Sequence, residues 1–329
     1  MRARHIIDPD REEWNEFTRD NNGSFLQSYE WGEFHRKTEK GVVYCQILEA
    51  EKVVMQAVAT RWTFPLGTHL SVFLGPVARS DLSQLQYANA IDLLVKNLSL
   101  VGKEAGDVFL RIEPTKELPK EKAWKVLTKR TQPSCTRVLN LSPSLEEITA
   151  GFHKNTRYSI AVAQKKGVEV SSSASYNPSF FCLMKKTTGR QGFHSHREDY
   201  YKKLCEIQGR DVCTELFLAK KGGQVIAVAI VIFAFSRATL LHAASDHDSR
   251  SLLAPHLLQA EIIRRAKEKG CSVYDFWGID ERKYPGTSAF KKRFGGLDVV
   301  YPKGGELPLS AFSYTIYTIT RKLRRILSS

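Results

Sequence analysis

Three clusters in this 329-residue chain carry groups that could do chemistry. Arg111-Ile112-Glu113-Pro114 sets a guanidinium and a carboxylate two residues apart, on one face of a strand at its end. Reactive groups of α/β sheets collect at such ends. Arg190-Gln191-Gly192-Phe193-His194-Ser195-His196-Arg197, followed by Tyr200 and Tyr201, is rich in phosphate-binding groups. Gly286 to Gly296 encloses Phe290-Lys291-Lys292-Arg293-Phe294, a basic run between glycines. A carboxylate can take a proton from an attacking amine, and a positioned cation can stabilise the oxyanion that forms.

Other chemistries leave no trace. The chain has no Walker glycine loop, no G-x-S-x-G elbow and no H-E-x-x-H. Its six cysteines lack C-x-x-C spacing, so no metal site is expected and the thiols are expected to be reduced.

The elements that must position these clusters recur. Strand-like runs at 42–49 and 53–64 flank a turn, a third run covers 70–77, a helical stretch runs from Leu82 to about Lys103, and a strand covers 108–113. The second half repeats the order: runs at 215–219 and 224–235 around a turn, a strand at 239–245, a helix from Pro255 to Lys269 stopped by Gly270, and a strand at 272–277. Hairpin, strand, helix, strand is the core of an acetyltransferase-type N-acyl transfer domain. The expected fold class is therefore α/β, with two tandem acetyltransferase-like domains at 1–142 and 143–306. The loop that binds coenzyme A pyrophosphate in such domains has no counterpart. The corresponding segment, Ser245 to Ser251, is polar and acidic, which points to a different acyl donor.

Two basic helices are also expected. One begins near Ser144 and runs through Lys154, Arg157 and Lys165 to Gly167; its cations suit either RNA or solvent. The other spaces Phe312, Ile316, Ile319, Leu323 and Ile326 helically among Arg321, Lys322, Arg324 and Arg325, and 307–329 contains no acidic residue. Such a helix can lie on anionic lipid or pack on a neighbouring domain, and packing is the expectation here. Net charge is +14, from 49 basic against 35 acidic side chains, which suits a polyanionic partner. The longest apolar run, Val225 to Phe235, is too short to span a bilayer, and Met-Arg-Ala-Arg-His is no apolar leader. A cytoplasmic protein is expected, with a peripheral place on the membrane's inner face left open.

Ser28-Tyr29-Glu30-Trp31-Gly32-Glu33-Phe34, Gly75-Pro76-Val77, Leu110 to Pro114, Lys154 to Arg157 with Lys166-Gly167-Val168, Arg190 to Phe193, Tyr274 to Ile279 and Phe290 to Gly295 together resemble the Fem aminoacyltransferases, in order, from about residue 10 to 302. The resemblance implies transfer of an amino acid from aminoacyl-tRNA to the peptide-stem amine of a peptidoglycan precursor, either UDP-MurNAc-pentapeptide or lipid II. It implies a compact form without a coiled-coil arm, no cofactor, a helix at 307–329 that returns to pack on the first domain, and a monomer that binds the muropeptide in a first-half cleft. By the same resemblance, Phe290 and Lys291 match a Phe-Lys pair that meets the tRNA end and the substrate, with Lys292 and Arg293 beside it on the tRNA side. Glu113 matches a strand-end acid proposed as base, and Arg197 with Tyr201 matches a pair that holds phosphates. His242 stands where a substrate-contacting tyrosine is expected, Val108 replaces another tyrosine, and Arg36 or His35 takes the place of a lysine after the tryptophan. Arg36 and Arg111 complete the expected substrate contacts. Two rival readings are a coenzyme A-dependent N-acyltransferase acting on a surface polysaccharide, and a non-catalytic RNA- or membrane-binding protein.

Overall fold

Two long hairpins seed two sheets in a computed structural model that describes residues 1–119, 124–127, 129–191 and 195–327. The chain divides into two units, Met1–Ser134 with Tyr301–Ser329, and Cys135–Val300.

In the first unit the strands are β1 (Arg2–Ile6), β2 (Val42–Glu49), β3 (Lys52–Phe64), β4 (Gly67–Phe73), β5 (Val77–Ala78), β6 (Phe109–Glu113), β7 (Lys125–Val126) and, from the far end of the chain, β15 (Gly305–Pro308). Among the described residues their order is β1-β2-β3-β4-β6-β15-β7, with β5 beside β3. The helices are α1 (Arg11–Asp20), α2 (Tyr29–Lys37), α3 (Gln84–Glu104) and α10 (Ala311–Leu327). Helix α3 starts at a reciprocal Ser83–Gln86 capping box and buries Ile91, Leu94, Val95 and Leu98 against the sheet. It carries the chain from β4 to β6, which pair in parallel through Phe73 and Glu113.

The second unit holds β8 (Cys135–Asn140), β9 (Glu169–Ser173), β10 (Val212–Lys221), β11 (Gln224–Ala234), β12 (Arg237–Ser245), β13 (Val273–Gly278) and β14 (Leu297–Val300), ordered β14-β8-β13-β12-β11-β10-β9. Its helices are α4 (Leu145–Ala150), α5 (Lys154–Lys165), α6 (Ser179–Gln191), α7 (Glu198–Cys205), α8 (Ala254–Glu268) and α9 (Pro285–Lys292). Here α8 is the crossover, burying Leu258, Ile262 and Ile263 between β12 and its parallel neighbour β13. The duplicated order read from the sequence is present in both sheets.

Some boundaries differ from the sequence reading. The units part at Ser134/Cys135 and Val300/Tyr301 instead of 142/143 and 306/307, because β8 hydrogen-bonds β13 and β14 while β15 pairs β6. The run 70–77 splits into β4 and β5 around Leu74, whose φ of 44° breaks the extended chain. The basic helix near Ser144 is two helices. Ser144 caps α4 with Glu147, and His153 then starts α5 by accepting the Asn155 N–H at Nδ1, 3.2 Å away. Helix α10 lays Tyr314 and Tyr317 against Val108, Phe109 and Phe64 of the first unit. No helix among the described residues is long and apolar enough to cross a membrane.

Candidate active site

The second sheet opens where two parallel strands part. Strands β12 and β13 pair only from Arg237↔Val273 to Thr239↔Asp275. A register shift between β11 and β12 then turns β12 at Leu240 to His242. Trp277, at φ 60°, interrupts the regular register of β13 between Asp275 and Gly278. The wedge lies at the carboxyl ends of the strands, where α/β sheets bind ligands. It is a cavity of 410 Å³ lined by Leu240, His242, Trp277, Tyr284, Phe290 and Lys291, among others.

Lys291 is fixed in this wedge. Helix α9 presents it, and its Nζ donates to the Gly278 carbonyl at 2.7 Å. Burial lowers its pKa to about 8, with the nearby Asp275 carboxylate opposing the drop. The result is an ammonium close to its titration point, held against one wall of an apolar cleft. Asp275 is fully buried and holds that wall: it accepts the Trp277 N–H at 2.8 Å and the Thr136 hydroxyl, and pairs with Arg237 at 3.1 Å. The positive-φ turn that aims the Gly278 carbonyl at Lys291 is thus pinned by one carboxylate. In the sequence Asp275 stands within Tyr274 to Ile279, and the signal it offers is an acid set inside an otherwise apolar strand.

Phe290 lines the cavity and packs on His256 and Phe294, at ring distances of 5.1 and 5.2 Å. Lys292 points elsewhere, paired with Glu281 and, at 2.8 Å, with Asp298. Arg293 is exposed. His242 lines the cavity and meets Tyr201 at 5.1 Å, and desolvation takes its pKa to about 3, so it is a neutral imidazole. Tyr201 is buried, and its hydroxyl accepts the His196 N–H at 3.2 Å. Arg197 caps the start of α7 and is exposed beside this aromatic cluster. Of the cluster's upstream loop, Gly192, Phe193 and His194 lie outside the described residues.

The first-unit candidates are engaged differently from the expectation. Glu113 is fully buried and accepts the backbone N–H groups of Thr131 at 2.6 Å and Gln132 at 2.8 Å, with Arg130 3.7 Å away. A carboxylate that accepts from its own chain at both oxygens anchors a loop. Arg111 is also taken: Glu306 pairs with it from β15, and the Thr131 hydroxyl accepts from it at 2.8 Å. Arg36 pairs with Glu33 at 2.9 Å and lies over the Tyr44 ring. Arg111 and Arg36 both hold the fold together as the structure stands. Nor does a wedge open between β4 and β6, which stay paired to the end of β6.

The FemAB family model matches residues 122–221 and 208–322. The chain belongs to the FemAB family. Relatives similar to this FemAB chain include the lipid II:glycine glycyltransferase of Staphylococcus haemolyticus, 22% identical over 360 residues, covering 83% of this chain and 85% of that one. The enzyme of the same name from Staphylococcus aureus strain MRSA252 is 22% identical over 384 residues and covers 90% of each. The crystal structure of FemX superposes with a TM-score of 0.78 at 20% identity, over 97% of this chain and 99% of that one. A tandem GNAT protein from the clavulanic acid pathway gives a TM-score of 0.58 at 10% identity, over 94% and 99%. The twin acetyltransferase-like fold of this FemAB chain is therefore established.

Proposed function

We propose that this chain transfers an aminoacyl group from aminoacyl-tRNA to the peptide-stem amine of a peptidoglycan precursor. The relatives named as lipid II:glycine glycyltransferases support a cell-wall acceptor, lipid-linked in their case. The observation that carries the reading is Lys291, a low-pKa ammonium placed by the Gly278 carbonyl in the wedge of the second unit.

The donor is an ester, already activated, so neither ATP nor a cofactor is required. The neutral acceptor amine adds to the ester carbonyl to give a tetrahedral intermediate. Lys291 stabilises its oxyanion, a contribution of about 3–4 kcal/mol for a well-placed donor. Collapse breaks the bond to the ribose oxygen, which leaves with a proton, and forms the amide. Positioning of the two substrates supplies about 7–11 kcal/mol. With Glu113 anchored in its loop, the ammonium proton goes to solvent or to the substrate's own phosphate. Phe290 and the exposed Arg293 flank the tRNA end, and Arg197 with the His242–Tyr201 cluster receives acceptor phosphates. The acting species is a monomer in the cytoplasm.

A thioester donor is disfavoured at the start of α8. Asp246 and Asp248 precede that helix, where a pyrophosphate would need N–H donors and positive charge. Asp246 is nearly buried, and the Ser249 hydroxyl holds its carboxyl below the usual range.

Incubation of the protein with precursor and total aminoacyl-tRNA, followed by mass spectrometry, is expected to show a mass gain of one or more residues. RNase should abolish it, and acetyl-coenzyme A should not replace the tRNA. Binding of tRNA should weaken more than about tenfold between 50 and 200 mM salt if about four phosphates are neutralised. Product that survives RNase would point to a thioester donor instead.

A further inference from the structure

Helix α10 has two faces of different fate. Tyr314 and Tyr317 turn inward and pack on Phe109, with ring centroids 5.7 and 4.8 Å away, and the Tyr314 hydroxyl donates to Glu306 at 2.7 Å. On the opposite face Phe312, Ile316, Ile319 and Leu323 follow at steps of four, three and four residues. They are 78%, 38%, 52% and 55% exposed. Four large apolar side chains in one uncovered row on a helix is unusual for a surface, and a row of this kind marks an interaction face.

The occupant is indicated by charge. From Leu307 to the last residue the sequence has no acid, while Lys322, Arg324 and Arg325 fall within the last turns of the helix; Arg321 is engaged on the inner face by Tyr317 and Glu306. Lys322 is exposed beside the row. An apolar row with cations and no acids matches acyl chains beneath anionic headgroups, which attract nearby lysine and arginine side chains. A docking partner protein of ordinary composition would call for complementary acids on itself and gives no reason for their exclusion here. We infer that the exposed face of α10 seats the protein on an anionic lipid bilayer, the helix lying flat with Phe312, Ile316, Ile319 and Leu323 in the headgroup–acyl boundary. The inference rests on α10 alone and holds whatever the donor and acceptor prove to be.

The test uses the full chain with neither donor nor acceptor present. Sedimentation with vesicles of equal phosphatidylcholine and phosphatidylglycerol is expected to carry the protein down, and pure phosphatidylcholine vesicles are expected to bind at least about tenfold less. The double variant Phe312→Ser/Ile319→Ser should lower partition into the anionic vesicles by at least about tenfold, with the denaturation midpoint unchanged. In Ile319→Trp, brominated lipid chains should quench more fluorescence than in the wild type, a readout that does not depend on the double variant folding. Three results would overturn the inference: no binding of the wild type to anionic vesicles; binding that the double variant retains; or a wild-type dimer in light scattering that the double variant dissociates, which would make the row a contact with a second copy.

Discussion

The charge on Lys291 can be read directly from a pH profile. With its pKa lowered to about 8 by burial, the ammonium is about nine-tenths populated at pH 7, half at pH 8 and one-tenth at pH 9. Turnover that needs the cation therefore falls about tenfold from pH 7 to 9, whereas a lysine at its ordinary value of 10.5 would lose only a few per cent. The acceptor amine gains its neutral form over the same range and works in the opposite direction. Lys291→Arg cancels that effect, because its guanidinium stays charged throughout. The quantity to measure is the wild-type to Lys291→Arg ratio of kcat at saturating acceptor and donor. It should be highest at pH 7, turn down near pH 8 and fall about tenfold by pH 9. A flat ratio would place the lysine's titration elsewhere, and a rising one would make the neutral amine the working form, as a base. Either would refute oxyanion stabilisation by a low-pKa ammonium. The same shift has a stability sign. A lysine whose folded pKa is depressed destabilises the fold while charged, fully below about pH 8 and no longer above 10.5. Lys291→Met should thus raise the melting midpoint at pH 7 while lowering turnover at least about tenfold.

Further outcomes follow from the neighbouring groups. Asp275 supports the cation electrostatically, so Asp275→Asn should move the descending limb of the profile to lower pH; a limb left in place would detach the carboxylate from Lys291. Glu113→Ala should cost about 3–5 kcal/mol in urea denaturation, since it strands two amides and Arg130, while the folded fraction keeps its turnover. A stable Glu113→Ala protein with no turnover would return Glu113 to the base role. Arg197→Ala should chiefly raise the apparent Michaelis constant for the precursor; an unchanged constant with a lower melting midpoint would make Arg197 structural.

The duplicated frame was legible because both halves carry long alternating or apolar strands, a turn and an amphipathic crossover helix, all local signals. The register of β2, read as 42–49, is the observed strand. Phe290 and Lys291 were legible as a basic step between glycines, and the cavity holds both. What escaped depended on partners far along the chain. Arg111 and Glu306 lie 195 residues apart, and only strand β15 beside β6 shows that the guanidinium is already paired. Glu113 likewise meets Thr131 and Gln132 through a loop with no periodic pattern. Charged residues at a strand end look alike in sequence whether they face substrate or their own backbone. The break between α4 and α5 hid inside one continuous basic, helix-compatible stretch, since a histidine N-cap is not a usual stop signal.

The pairing of β4 with β6, against the early parting of β12 from β13, bears on how the two repeats tolerate change. A copied half whose seam stays closed is free to vary in any way that preserves packing. Its counterpart must keep a turn at Trp277 whose N–H is held by a buried acid. A saturation screen of the whole chain should therefore give two unlike maps from one repeated plan. Along β4 and β6 the deleterious changes should track volume and abundance of folded protein, and conservative apolar exchanges should be silent. At Trp277 and Gly278, abundance and activity should separate, leaving variants that accumulate normally in the cell and transfer nothing.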